Sequence, residues 1–255
     1  MGTALIARLG ALTQNGSLCL RAAADARSIT ALLRDPGSGL LRHGYDASSK
    51  TRSCCSWGRA NGWALMALAD LLVAANTGCG LGAQQQQQQQ QPQPGRSLTQ
   101  RHRRSAELEL PPPPSPPANA DWVAAVADVE RELLGHARAM VRVQHPTDGR
   151  WHQVLDANAT FLETSVTAMA LYAMISGIES GALTRAEFDR PVRAAWRGLL
   201  RAIAVDGTVS GVSCGTNIQT LRAQYEVRPT PYLGSGPGLG AVVRAAVAMD
   251  RYTNS

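Results

Sequence analysis

The stretch PTDGRWHQVLD, residues 146–156, lies between two helical patterns, and its reading decides the fold. A Pro followed by an Asp-Gly pair marks a turn. Asp121–Val143 before it and Glu163–Ser176 after it carry apolar residues at helical spacing. Two further stretches share this layout. DPGSGLLRHGYD, residues 35–46, lies between the helical patterns Leu18–Arg34 and Asn61–Ala75. DGTVSGVSC, residues 206–214, follows Thr184–Val205 and precedes Gly238–Met249. In the first two turns a Gly and an Asp stand seven apart: Gly39 with Asp46, and Gly149 with Asp156. Gly149 and Gly207 are 58 residues apart, whereas Gly39 and Gly149 are 110 apart. Removing a low-complexity stretch of roughly 40 residues from the longer interval leaves about 70, a similar period.

The repeating unit is therefore helix, polar turn, helix. About three and a half units are present, the half being Met1–Gln14. Helical hairpins of this kind bury their apolar faces only against neighbours, so the array is all-α and either runs open or closes on itself. The helices after the first two turns carry matching cores, ALMAL at 64–68 and TAMAL at 167–171. Such small residues let helices approach closely, as an inner layer requires, and the methionines read as core filler. Thr184-Arg-Ala-Glu187 fits a capping box at the start of the third leading helix.

The excised stretch spans residues 78–118. It contains eight glutamines (84–91), four arginines (Arg96, Arg101, Arg103, Arg104) and six prolines between Pro111 and Pro117. Its composition cannot bury enough apolar surface to offset ordering, so it reads as a disordered insertion. Residues 1–77 and 119–255 are then two parts of one helical array.

Composition narrows the function. Of 255 residues 44% are hydrophobic but only two are Phe, which suits closely packed helices. The net charge of +6 comes from arginines, with Lys50 the sole lysine, and no basic stripe marks a nucleic-acid partner. The mild positive bias suits an acidic sugar. No run approaching the ~20 apolar residues of a membrane span is evident. The five cysteines are odd in number and include no C-x-x-C pair, so neither a metal site nor a disulfide framework is expected. The glycine-rich run at 234–240 matches no dinucleotide or P-loop spacing, and no cofactor is expected.

The turns concentrate the polar chemistry. SWGRANGW, residues 56–63, sets two tryptophans around Arg59 at a helix entrance. Trp faces stack on sugar rings, and Arg grips carboxylates. The residues alone leave open whether this is a sugar site or a packed Trp pair beside a surface Arg. His43 with Asp46, and His152 with Asp156, could each be a catalytic pair or a capped turn. Glu163 and Thr164 open a helix, where a carboxylate suits the dipole.

These motifs, in this order, resemble the unsaturated glucuronyl and rhamnogalacturonyl hydrolases of glycoside hydrolase families 88 and 105, the latter more closely. The resemblance rests on HGYD (43–46), WGRANGW (57–63) running into Asp70, DGRWHQVLD (148–156) with FLETS (161–165), DGTV (206–209), and Arg228-Pro229 with the Pro237-Gly238 helix entry. It covers the chain outside 78–118. It implies an (α/α)6 barrel of six helical hairpins, incomplete here. It also implies hydration of a C4–C5 double bond in an unsaturated uronyl oligosaccharide: an Asp protonates the enol ether, water adds at C5, and the hemiketal collapses. Arg59 and Trp63 match substrate-lining positions, His43 a substrate-facing His, and His152 and Gln153 the second motif. The family's proton-donating Asp precedes a Phe-Met whose continuation resembles Met1–Thr13. That Asp is therefore expected upstream of Met1, and no residue here is assigned as catalytic acid. Two alternatives are a sugar-binding protein without turnover and a helical-repeat scaffold, which would scatter His43, Arg59 and Trp63.

Overall fold

The computed structural model describes residues 2–79, 119–230 and 238–254. The expected insertion at 78–118 lies almost entirely outside the described residues, as does most of the glycine-rich run at 234–240.

The helices alternate between two layers. The inner layer holds α1 (Gly2–Leu12), α3 (Gly58–Ala74), α5 (Thr164–Glu179) and α8 (Leu239–Thr253). Each packs on the next in that order. The outer layer holds α2 (Gly16–Leu33), α4 (Asn119–Arg142) and α6 (Arg185–Leu200), while α7 (Arg222–Glu226) is a single turn near the third loop. This is the all-α barrel layering expected. The helices on either side of the 78–118 stretch pack directly, α3 on α5 and α2 on α4.

Burial follows from composition. Fourteen consecutive residues of α5, Thr164 to Gly177, are buried, including Ala168, Ala170 and Ala173. α3 is nearly as enclosed. Burial on all sides is what a wall between two neighbouring helices and an outer helix demands, and small side chains permit it. Against Gly62 lies Met169 of α5; a Cβ there would clash with its side chain. α6 instead buries one stripe, Phe188, Val192, Ala195 and Leu199, as an outer helix should.

The three turns share a backbone as well as a sequence layout. Gly39, Gly149 and Gly207 all have left-handed φ, +73°, +86° and +84°. Asp35 N donates to Leu40 O, His145 N to Arg150 O, and Ala204 N to Thr208 O, each at 2.9 Å. A left-handed residue one position before the closing carbonyl makes glycine the favoured choice at each. Small ladders that the sequence reading lacked extend two of the turns: β1 (Tyr45–Asp46) pairs with β2 (Thr51–Arg52), and β3 (Trp151–His152) with β4 (Leu162–Glu163).

Three expectations are corrected. Cys19 and Cys79 form a disulfide between α2 and the π-helical turn Ala75–Cys79 that continues α3. Sixty residues separate them, so only the fold brings them together. Thr184 stands at the N-cap of α6 without a side-chain capping bond, and the Glu187 carboxylate that would complete the box is bound by Arg138 instead (2.7 and 2.9 Å). Finally, Gly58–Cys79 is 22 residues long with mean hydropathy 1.3, long and apolar enough by composition to cross a membrane. Most of α3 is nonetheless buried inside the protein, and it carries Arg59 and Asp70, both in ion pairs.

Candidate functional site

The site forms where the first and second turns meet the entrance of α3. Gly58 N donates to Gln153 O (2.7 Å) and Leu155 N to Ser56 O (2.9 Å), and Trp57 bridges to Val154. Gly58 is required here, since a Cβ would press on the His152 and Gln153 carbonyls. The third turn joins through Ser213 and Tyr225.

Its anchor is Glu163, the N-cap of α5. The carboxylate is fully buried and accepts from Val166 N (2.6 Å), Ser165 Oγ (2.7 and 2.9 Å), Ser213 N (2.9 Å) and Arg59 Nη2 (3.4 Å). Helix N-terminal amides favour that charge, and Arg59 balances it. Arg59 also donates from Nε to Ser165 Oγ (3.0 Å) and from Nη2 to the Ser213 carbonyl. Its guanidinium lies 5.3 Å from the Trp57 ring centre. The buried Arg59 is thus tied into the wall.

In front of Trp57 stands His43, with ring centres 4.6 Å apart. Its Nδ1 is 2.8 Å from Tyr225 Oη, and the Tyr225 ring meets it edge-on at 5.5 Å. Burial pushes the His43 pKa down to about 4, so the ring is neutral at pH 7. Gln153 Nε2 donates to Tyr225 O (3.0 Å). The Trp57 Nε1 and Gln153 Oε1 atoms are buried without a partner among the described residues.

Beside this cluster opens a cleft of about 160 Å3 between α1, α2 and α3, lined by His43, Trp63, Arg42, Ala60 and Ile29 among others. His43 and Trp63 therefore share one concavity. Arg59 and Gln153 lie behind it, through Trp57 and Tyr225. His152 follows the strand alternation in the other direction: its Nδ1 bonds the Thr160 carbonyl and its ring lies 5.6 Å from His145. Neither His-Asp pair is an acid–base pair. The Asp46 pKa is lowered to about 2, foremost by the Ser48 side chain and then Ser49. Asp156 pairs with Arg222 (3.0 Å). No carboxylate is among the described residues lining the cleft.

Tyr225 and Ser213 were missed by the sequence reading. Both sit in the third segment, 182 and 154 residues from the His43 and Arg59 they touch, and no local pattern announces such contacts.

Two layers of alternating helices, with a largely apolar cleft between α1, α2 and α3 that His43 and Arg42 edge, define an α/α-barrel protein of the glycosidase type. The chain belongs to glycosyl hydrolase family 88, whose model matches residues 1–91 and 124–253. It is 26% identical over 218 residues to the unsaturated rhamnogalacturonyl hydrolase YesR of Bacillus subtilis strain 168, covering 85% of this chain and 48% of that protein. The chain thus spans about half the length of this curated relative. In fold it is similar to a glycoside hydrolase of family 105 from C. acetobutylicum ATCC 824, with a TM-score of 0.72 and 21% identity, covering 98% of this chain and 62% of that one. It is also similar to a possible family 105 member from Salmonella enterica serovar Paratyphi A, with a TM-score of 0.74 and 19% identity, covering 99% and 55%.

Proposed function

We propose that this chain forms the sugar-binding wall of an unsaturated uronyl hydrolase, acting on acidic oligosaccharides that end in a C4–C5 unsaturated uronic acid. The observation that carries this reading is the single cleft shared by His43 and Trp63. An indole face beside a neutral, hydrogen-bonding imidazole suits a sugar ring, which has one apolar face and a rim of hydroxyls. Arg42 lines the same cleft with its guanidinium held by Asp35 (2.5 Å) and the Cys54 carbonyl, so its charge is already balanced.

The five residues divide in role. His43 and Trp63 contact sugar. Arg59 and Gln153 position His43, Arg59 through Trp57 and Gln153 through Tyr225. His152 holds the second loop. In the reaction, an acid protonates the enol ether, water adds at C5, and the hemiketal releases the terminal sugar. The proton donor is left unassigned, because the lining of this cleft offers no carboxylate. Residues 1–77 and 119–255 act as one barrel interrupted at 78–118, a reading supported by the packing of α3 on α5.

The test is titration of the chain with a lyase-generated unsaturated rhamnogalacturonan disaccharide, followed by calorimetry and by the ultraviolet absorbance of the double bond. Saturable binding is expected, lost in Trp63→Ala and in His43→Ala, with absorbance unchanged. Binding indifferent to both substitutions would refute the cleft as the site. Loss of absorbance would demand a proton donor within this chain.

A further inference from the structure

The geometry points to Tyr225 as the residue that sets the tautomer of His43, holding Nδ1 as an acceptor so that Nε2–H is presented to the cleft as a donor. This inference rests on the sugar-wall reading for its consequence, though not for its geometry.

The argument is a proton inventory. Tyr225 is fully buried, and its Oη has two neighbours at hydrogen-bond distance, Gln219 N at 3.0 Å and His43 Nδ1 at 2.8 Å. The Gln219 amide can only donate, so it fills an acceptor position on the phenol oxygen. The Ser53 hydroxyl also reaches the phenol, but in the sense that lowers the Tyr225 pKa, that is as a donor, so it offers the phenol proton no acceptor. A phenol has one proton, and burial raises the Tyr225 pKa, so that proton stays on the oxygen. The acceptor within reach is His43 Nδ1. A neutral imidazole carries one N–H, which must then be on Nε2. That nitrogen has no hydrogen-bond partner among the described residues, and the ring lines the cleft.

The ring is also fixed in orientation. Trp57 packs against it with the ring planes tilted by 60°, and the Tyr225 edge meets it from the side. Gln153 in turn holds the Tyr225 backbone through its carbonyl, and Gln219 belongs to the loop leading into α7. The segment after the third turn thus acts on the cleft at a distance: none of its described residues lines the cleft, yet it selects what His43 offers. A donor facing the cleft suits a sugar hydroxyl or carboxylate oxygen, both of which accept.

The experiment is a long-range proton–nitrogen correlation spectrum of histidine-labelled full chain at pH 7.5, with the His43 signals assigned by their loss in His43→Gln. The expected wild-type spectrum has an unprotonated Nδ1 and a protonated Nε2. In Tyr225→Phe the two nitrogen shifts should move toward each other as both tautomers become populated, with the other histidine signals retained. Affinity for the unsaturated disaccharide should then fall roughly fivefold. A proton on Nδ1 in the wild type would overturn the inference, even if Tyr225→Phe proved unable to fold. An unchanged His43 spectrum in a folded Tyr225→Phe would overturn it equally. Failure of the disaccharide to bind wild-type protein would instead count against the sugar-wall reading, because the tautomer is read in the free chain.

Discussion

Replacing Asp70 by Asn should loosen the inner layer more than any comparable surface change. Asp70 lies on α3 with its side chain 5% exposed. Its Oδ1 accepts from Tyr172 Oη of α5 (2.7 Å), from Arg8 Nη2 of α1 (3.2 Å) and from Arg244 Nη2 of α8. One carboxylate oxygen therefore ties all four inner helices. Removing one member of a buried charged pair costs about 3–5 kcal/mol when the partners stay buried. Here Arg8 and Arg244 are 53% and 32% exposed, so water recovers part of the loss. Asn keeps an acceptor oxygen but loses the charge. We therefore expect about 2 kcal/mol for Asp70→Asn and about 3 kcal/mol for Asp70→Ala. In a chain of this size 2 kcal/mol corresponds to a fall of roughly 4–8 °C in melting temperature. Urea denaturation of Asp70→Asn, Arg244→Met and the double variant would measure the coupling directly, which should be about 1 kcal/mol and shrink in high salt. An Asp70→Asn variant within 0.5 kcal/mol of wild type, or a coupling near zero, would refute the keystone role.

Three further outcomes follow from the same structure. Closing a 60-residue loop with Cys19–Cys79 should stabilise the fold by about 4 kcal/mol, so Cys19→Ala or a reductant should lower the melting temperature, and an insensitive melt would argue that the bridge is absent. Gly149→Ala should cost more than 2 kcal/mol, because φ is +86° and the new Cβ would collide with the Ala194 carbonyl. Gly207→Ala, with φ +84° and open space, should cost only about 1 kcal/mol, and equal costs would contradict the close approach. Burial holds the His136 pKa at about 3, below its usual 6.5, so the unfolded chain binds the extra proton. Its contribution is intact above pH 6.5 and declines as pH falls toward 3; His136→Gln should flatten the stability profile in that window, and an unchanged slope would count against a neutral buried imidazole.

Local pattern carried much of the architecture by itself. Apolar spacing located six helices to within a few residues, save a five-residue overrun at the end of α6, and left α1 as half a repeat unit. The Asp-Gly turns were legible because their glycines need a left-handed backbone. Alanine-rich inner helices announced close packing. Those features depend on neighbours a few residues away, and such physics is written along the chain. The candidate site was legible as a collection of residues but not as an arrangement. His43 and Trp63 share a cleft, whereas Arg59, read as a ligand for a carboxylate, is committed to Glu163, and strand alternation turns His152 toward Thr160. Pairings such as Cys19 with Cys79, Tyr225 with His43, and Asp70 with three other helices join residues 60 to 182 positions apart. No local spacing encodes them, because each depends on which helix faces meet once the layers stack. The sequence alone determined helices, turns and the family resemblance; the tertiary structure decided which polar groups spend their charge on one another and which remain open to the cleft.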